Sequence, residues 1–309
     1  MKILLVTPVH PKLQKKNPLP DWQTQNHWHL ALKSLGHQVK IFRLPKLPVP
    51  KILQNLRLKT EINIFKPDEI FFSAGINRTL PLKNTVFFSG VPPKTLSKNE
   101  RNTGLKAKLV VTNDFKQAKT WEKLGSNKAI CLPISAINPK FFKPTKIKKT
   151  INLSFIGTLF PDRQQFLAKL LWYYKDINIY GYLPQIKLLP ELKNHYYGPV
   201  WGKDVNKIYN QSKIALNLTP KHLPSAGNLR AFEIPATKTL ILSDKINSEW
   251  YLKNKEAVLI KTPRDTANKI RYYLKNPKKA ETIAKAGYLR TIKDHTYKIR
   301  FKKLINLIK

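Results

Sequence analysis

Acidic residues, cysteine and long apolar runs are all scarce in this sequence, and each shortage excludes a class of protein. The one cysteine, Cys131, excludes an internal disulfide and fits a reducing compartment. No apolar run is long enough to span a bilayer. The apolar N-terminal run is short and interrupted by Pro8 and Pro11, a pattern that disfavours a signal peptide. We therefore expect a cytoplasmic protein whose contact with any membrane is peripheral.

The shortage of acidic residues leaves a large excess of positive charge. Lysine and arginine total 57 against 18 aspartates and glutamates, which gives a formal net charge of +39. Such a charge favours an anionic partner: nucleic acid, an anionic membrane surface or a phosphorylated small molecule. The lysines are spread along the whole chain, however, and an equally weighted interpretation is a composition bias that decorates solvated faces.

The first half of the chain has the pattern of a doubly wound α/β domain. An apolar run at 2–6 predicts a buried strand, a helix over 22–35 ends at Gly36, and 38–42 predicts the next strand. Further strands are predicted at 69–72, 85–88, 108–112 and 128–132, with Asp114 capping a helix. The loop after the first strand lacks the glycine-rich dinucleotide fingerprint, so an NAD site is unsupported.

A second α/β unit begins at Ile151, after a segment rich in proline and lysine. Strands are predicted at 151–156, 177–181, 213–218, 239–242 and 257–260, and a helical tail from Pro277 is interrupted at Gly287. We expect two Rossmann-like domains facing a cleft, with ligands at the carboxyl ends of the strands. The predicted boundaries are 1–135, a linker at 136–150, 151–290, and a C-terminal helix over 291–309.

The stretch 225–244 has the most informative chemistry. Its pattern predicts a short helix, a turn at Pro235 and a buried strand. Arg230 and Glu233 are three residues apart and share a helix face, so both head groups can point at one ligand. The alternative is an ordinary surface ion pair.

Four segments of the second half resemble the group 1 glycosyltransferases, in particular the branch similar to the spore maturation protein CgeB. They are FIGTLFPDR at 155–163, YGPVWGKDVNKIYNQSKIALNLTP at 197–220, NLRAFEIPATKTLILSD at 228–244 and AGYLRTIKDHTYKIRFKKLI at 286–305. The first half resembles this family only in its general layout.

The resemblance implies a GT-B fold with a donor-binding second domain, an acceptor-binding first domain and a last helix that crosses back onto the first domain. It also implies a nucleotide-sugar donor, no metal or other cofactor, and transfer with retention. Two glutamates eight residues apart contact the donor in the wider group. Glu233 matches the second of them, but the first position is Ser225, which is not a carboxylate.

A donor site is therefore predicted in the second half. Arg163 and Arg230 would neutralise the leaving diphosphate together with helix N-termini, and Glu233 would accept hydrogen bonds from the ribose hydroxyls. The alternatives are a solvated helix position for Arg163 and an ordinary strand end for Tyr180, in place of base stacking. The predicted donor-binding residues are Gly157, Arg163, Tyr180, Gly181, Asn228, Arg230 and Glu233.

Catalytic residues are harder to predict, because the first half lacks the cluster of histidine and acidic residues found in the wider group. His10, on the loop after the first strand, is the candidate for acceptor contact and catalysis. His27 and His29 are two apart and do not share a helix face, so they predict helix packing and no metal site. Asp21 is interpreted as a helix cap.

The sequence thus predicts a metal-independent glycosyltransferase whose acceptor, a glycan, lipid or protein, is undefined. Peripheral contact with anionic lipid follows from the charge. Nucleic acid is the less favoured partner, because the basic residues are mostly lysine, scattered, and without a known nucleic-acid motif. The alternative is a non-catalytic basic GT-B-like module that binds nucleic acid or another polyanion, and Ser225 in place of a glutamate favours it.

Overall fold

The computed structural model divides the chain into two compact units. The first unit comprises Met1–Ser135 and Tyr297–Lys309, and the second comprises Ala136–Thr296. The structure describes residues 1–8, 24–44, 51–75, 84–133, 135–221 and 227–309.

The first unit is built on a parallel sheet that contains, among the described residues, six strands. They are β1 (Lys2–Pro8), β2 (Gln38–Leu44), β3 (Glu69–Ser73), β4 (Thr85–Ser89), β5 (Leu109–Thr112) and β6 (Ala129–Cys131). Their order is β2-β1-β3-β4-β5-β6, and every neighbouring pair is parallel. The central strands are buried along their whole length because helices cover both faces, which is why they appear in the sequence as continuous apolar runs.

Helices connect these strands. They are α1 (Thr24–Ser34), α2 (Lys51–Phe65), α3 (Lys98–Lys106) and α4 (Phe115–Lys123). Asp114 is the N-cap of α4 and accepts hydrogen bonds from the backbone N–H groups of Lys116 and Gln117, as predicted. Sequence analysis did not single out α2, because its apolar residues lie on both faces and give no clear helical period.

The second unit contains another parallel sheet. Its strands in the described ranges are β7 (Ile151–Ile156), β8 (Asn178–Tyr180), β9 (Ser212–Asn217), β10 (Leu240–Ser243) and β11 (Val258–Leu259). Their order is β11-β10-β9-β7-β8, again parallel throughout. Its helices are α5 (Pro161–Leu171), α6 (Lys203–Gln211), α7 (Arg230–Ala236), α8 (Pro263–Lys275) and α9 (Pro277–Asp294).

Two predicted helix boundaries in the second unit are wrong. Helix α9 runs through Gly287 without a break, and a Cβ atom at that position would lie 2.4 Å from the carbonyl oxygen of Glu256. Gly287 therefore permits close packing and does not end the helix. Pro235 lies inside α7, which reaches Ala236, because a proline so near the end of a helix removes only one internal hydrogen bond.

Helix α10 (Tyr297–Ile308) returns to the first unit and packs against α1, which confirms the expected crossing of the C-terminal helix. The ring of Tyr297 stacks on His27 with centroids 5.7 Å apart, and Phe301 packs edge-on against Trp28 at the same distance. The buried guanidinium of Arg300 donates to backbone carbonyl oxygens at the end of β6, those of Pro133 and Ser135. His27 is thus a helix-packing residue, as predicted.

Candidate functional site

The carboxyl edge of the second sheet contains the predicted donor residues. Strand β7 lies between β8 and β9, so the chain leaves β7 toward one side of the sheet and later continues on the other side. Such a reversal leaves a crevice between the loops that follow the two adjacent strands, and ligands of parallel α/β sheets bind there. Gly157 follows β7, and Leu218 and Thr219 follow β9, on either side of this switch point.

Two glycines bring the loops after β7 and β8 into direct backbone contact. The N–H of Gly157 donates to the carbonyl of Tyr180 at 3.0 Å, and the N–H of Gly181 donates to the carbonyl of Gly198, also at 3.0 Å. A Cβ atom on Gly181 would lie only 1.8 Å from the carbonyl oxygen of Gly157. Position 181 therefore has to be glycine for this edge to form.

Arg163 joins the two sides of the switch point. It lies in the first turn of α5, is only 7% exposed, and donates through Nη1 to the carbonyl of Thr158 at 2.9 Å and through Nη2 to the carbonyl of Leu218. Burial lowers the pKa of Arg163 to about 10, against the opposing effect of Asp162 and Asp244, so the guanidinium stays charged at neutral pH. The solvated position that was the alternative for Arg163 is excluded.

The guanidinium of Arg163 keeps hydrogen-bonding capacity for a ligand. It has five N–H donors, and the two bonds to strand-end carbonyls leave others unused. Its Nε has no partner among the described residues although it is buried. A buried charged donor without a partner is costly unless a ligand or water satisfies it.

Asn228 presents an unused acceptor at the same edge. Its Nδ2 donates to Oδ1 of Asn217 at 2.7 Å, and Nδ2 of Asn217 donates to Oγ of Ser243 at 2.9 Å. This chain of hydrogen bonds fixes the amide of Asn228, which is 8% exposed. Its Oδ1 has no partner in the part of the chain that the structure describes.

Arg230 and Glu233 bind each other at the start of α7. Nη1 of Arg230 donates to Oε2 of Glu233, whose side chain is 7% exposed, whereas that of Arg230 is 25% exposed. Burial alone would lower the pKa of Arg230, but Glu233 and Tyr209 outweigh this effect and raise it. The pair is therefore a largely buried one, and a surface ion pair is the wrong description.

Tyr209, on α6, lies beside this pair. It is fully buried, and burial raises the pKa of its phenol strongly, with Arg230 opposing and Glu233 reinforcing the shift. Its hydroxyl has no hydrogen-bond partner within the described ranges.

A further polar group at this edge is the carboxylate of Asp244, directly after β10. Its Oδ1 accepts hydrogen bonds from the backbone N–H and the hydroxyl of Thr219, both at 2.8 Å. Burial raises the pKa of Asp244, although these hydrogen bonds oppose the shift. Sequence analysis assigned no role to Asp244, Asn217 or Tyr209. Asp244 and Asn217 could have been found from the sequence, because both lie at the carboxyl ends of predicted strands.

Aromatic side chains surround the loop after β8. The rings of Tyr180 and Tyr197 lie 5.4 Å apart, and the hydroxyl of Tyr196 donates to the carbonyl of Gly181 at 2.7 Å. Tyr182 and Tyr197 are more than half exposed. Base stacking at Tyr180 stays a prediction.

Two predicted positions lie outside the described residues. They are His10, the candidate for acceptor contact, and Ser225, the position eight residues before Glu233. Asp21, the predicted cap, also lies outside them. Within the described ranges, no group of three histidine, cysteine or carboxylate side chains is arranged to hold a metal ion.

The described groups together suit a ligand that carries both negative charge and hydroxyls. The guanidinium of Arg163 and the N-terminal turn of α5 supply N–H donors for an anion at the switch point, and the guanidinium of Arg230, paired with Glu233, lies nearby. Asn228 and Glu233 add acceptors for hydroxyl groups. The structure thus brings Gly157, Arg163, Gly181, Asn228, Arg230 and Glu233 to one edge of one sheet, with Tyr180 ending β8.

Comparison with known proteins shows which family and fold this chain resembles. Residues 163–306 match the family model described as "Glycosyl transferase-like". The match covers the second unit from Arg163 onward and most of α10. No curated protein matches the chain in sequence.

Solved structures similar to this chain cover its full length. A glycosyltransferase from Rickettsia africae has 16% identity and a TM-score of 0.67, with 97% of its own chain covered. Alr3699/HepE from Anabaena, in complex with UDP and glucose, has 14% identity and a TM-score of 0.67, with 99% covered. BGT of T4 phage, in complex with its UDP-glucose substrate, has 12% identity and a TM-score of 0.66, with 99% covered. The fold of this chain is GT-B, as the sequence predicted.

Proposed function

We propose that this protein is a glycosyltransferase that moves a sugar from a nucleoside-diphosphate sugar to an acceptor. The observation that carries the proposal is the convergence of Arg163, Asn228 and the Arg230–Glu233 pair on the carboxyl edge of the second sheet, at its switch point. The family match over the same unit supports it.

The donor is proposed to bind with its diphosphate near Arg163 and Arg230. A leaving nucleoside diphosphate develops negative charge as the glycosidic bond breaks, and preorganised cationic donors in a buried site stabilise that charge. These two side chains supply the charge for which other transferases use a metal ion, and we therefore propose metal-independent transfer. Glu233 and Oδ1 of Asn228 would accept hydrogen bonds from hydroxyls of the donor.

Uridine is the proposed nucleoside of the donor, with uracil as its base. Two proteins with the same fold, from Anabaena and T4 phage, bind UDP with glucose or UDP-glucose. The loop after β8, with Tyr180 and Gly181, is the proposed position of the base, where an aromatic ring offers a face for stacking.

The acceptor, the stereochemistry and the branch of the family rest on resemblance. We propose retention of configuration, membership of the branch similar to CgeB, and an acceptor that binds the first unit near His10. The net charge of +39 favours an acceptor or surface that is anionic, with the protein in the cytoplasm and in peripheral contact with membrane lipid.

Calorimetric titration of the full chain with UDP, GDP and ADP tests the donor site. Selective binding of UDP is expected. Glu233→Ala should weaken it at least tenfold, because the donor hydroxyls lose the carboxylate that accepts their hydrogen bonds and Arg230 loses the partner that orients it. Glu249→Ala, an exposed glutamate of the same unit, is the matched control and should bind like the wild type. Release of UDP from UDP-glucose, followed by chromatography, then tests turnover.

Two outcomes would reject the proposal. One is nucleotide affinity that is the same in Glu233→Ala and the wild type. The other is tight binding of a short DNA duplex with no nucleotide preference, which would identify a basic binding module, since such binding weakens steeply with salt.

A further inference from the structure

Helix α2 of the first unit exposes an apolar face that nothing in the described structure covers. Its inner face contributes the buried Gln54 and Leu58 to the unit. The opposite side of the helix, called here the α2 outer face, consists of Ile52, Leu53, Leu56 and Ile64. These side chains are 73%, 51%, 53% and 71% exposed. A helix with apolar residues on both sides is normally buried on both sides. The α2 outer face therefore requires a partner.

The α2 outer face is continuous with a groove. The groove has a volume of about 490 Å³ and lies between α2 and the ring of Phe42 on β2. Leu53, Leu56 and Ile64 line it, and they lie along one stripe of the helix because they are spaced at intervals of three and eight residues. From Ile52 to Ile64 the stripe is about 18 Å long. The surface is therefore extended and mainly aliphatic. The groove is shallow, and Arg57, Thr60 and Glu61 also line it.

The surroundings of this face are strongly cationic. Strand β2 and residues 52–66 contain five lysines and arginines against a single acidic residue, Glu61. The carboxylate of Glu61 is paired with the ammonium of Lys40 at 2.5 Å, which leaves no free negative charge on α2. Arg57, Lys59 and Lys66 are exposed on or directly after the helix. Any partner of this face therefore has to be apolar at its centre and anionic around it.

Two other partners fit less well. A second copy of the chain would bring the same cationic patch against itself in a symmetric dimer, which repels. Nucleic acid is anionic, but single strands are held by exposed aromatic rings on which bases stack. The four exposed apolar side chains of the α2 outer face are aliphatic, and the ring of Phe42 in the groove is partly buried against the core. A lipid surface satisfies both requirements, because aliphatic side chains enter the acyl boundary while lysine and arginine contact anionic head groups.

We propose that the α2 outer face docks on an anionic bilayer, with α2 lying in the plane of the membrane surface and Ile52, Leu53, Leu56 and Ile64 inserted below the head groups. This proposal names the surface for the peripheral contact put forward above and does not depend on sugar transfer. No helix in the described ranges is long and apolar enough to cross a bilayer. The contact is therefore with one leaflet.

Co-sedimentation of the full chain with vesicles tests the proposal. We expect binding to vesicles of phosphatidylcholine with phosphatidylglycerol and little binding to phosphatidylcholine alone. The variant Ile52→Ser/Leu56→Ser/Ile64→Ser should bind anionic vesicles at least tenfold more weakly. The variant Arg57→Gln/Lys59→Gln should lose less vesicle affinity than the triple-serine variant. Its remaining binding should depend less on salt concentration than that of the wild type.

A matched control is Trp172→Ser/Leu289→Ser, which removes two exposed apolar residues from the second unit and should bind vesicles like the wild type. UDP titration of every variant separates this proposal from the donor site, because the α2 changes should leave nucleotide affinity unchanged. Equal vesicle binding by the triple-serine variant and the wild type would overturn the proposal. A wild-type dimer that becomes a monomer in that variant, without vesicle binding by either, would overturn it in favour of a second copy.

Discussion

The first five strands of each unit follow the same order, but the chemistry at the carboxyl edge of the two sheets differs. In each sheet the first strand lies between the second and the third, so each has a switch point in the same place. In the first unit, β1 and β3 border that point, and in the second unit β7 and β9 border it. Topology therefore offers two equivalent crevices, and the side chains decide what each of them can bind.

Two described carboxylates at the first edge are used within the protein. The carboxylate of Glu100 accepts hydrogen bonds from Gly75 N and Ser97 Oγ, both at 2.7 Å, and Asp114 caps α4. At the second edge, Nε of Arg163 and Oδ1 of Asn228 are buried without a partner among the described residues. The difference shows that a shared strand order fixes the position of a ligand site, whereas unsatisfied buried polar groups indicate which site is used.

The largest expected effect comes from Gly181→Val, which removes the contact that shapes the second edge. The added side chain would overlap the carbonyl of Gly157, so we expect the second unit to lose about 3 kcal/mol or more of unfolding free energy. Urea unfolding with hydrogen exchange resolved by unit measures the loss. Gly90→Ala in the first unit is the control, because its Cβ would meet only a side-chain atom, Nδ2 of Asn113, at 3.4 Å. Similar losses in both variants would contradict the prediction.

Arg163→Met tests whether the second edge depends on the guanidinium. Two strand-end carbonyls lose their donor, and we expect a loss of about 2 kcal/mol in stability together with a fall of at least tenfold in UDP affinity. Arg163→Lys should restore little of either, because an ammonium lacks the planar fork that reaches both carbonyls. Calorimetry and urea unfolding supply the two measurements. Full UDP affinity in Arg163→Met would remove Arg163 from the donor site.

Asp114→Ala makes the corresponding change at the first edge. The carboxylate caps α4, so we expect the first unit to lose about 1 kcal/mol of stability. UDP affinity should be unchanged, because the group serves structure only. If Asp114→Ala left thermal stability unchanged but lowered UDP affinity, the first edge and not only the second would have to bind the nucleotide.

The smallest expected effect is that of Tyr209→Phe. The hydroxyl of Tyr209 is buried without a partner within the described ranges, so its removal should raise the unfolding free energy of the unliganded protein by up to about 1 kcal/mol. Urea unfolding without nucleotide measures it. A clear loss of stability would mean that the hydroxyl has a partner in solution.

Much of the fold could be predicted from the sequence because buried parallel strands appear as apolar runs. Strand β7 was predicted with its observed bounds, and β1, β3 and β4 to within two residues. Helix α2 was not singled out, because apolar residues on both faces give no period that separates inside from outside. The prediction of a helix break at Gly287 was wrong. Glycine is required there because the carbonyl of Glu256 packs against it, and Glu256 is distant in sequence.

The sequence alone determined the residue types at the site, the two-unit α/β organisation and the excess positive charge, since these depend on local pattern and composition. Only the tertiary structure decided that Arg163 is buried across the switch point, that the Arg230–Glu233 pair is largely buried, and that α2 keeps an exposed apolar face. These features depend on distances between residues far apart in the chain. Local pattern does not encode such distances, because they are fixed when the strands pair and the helices pack on them.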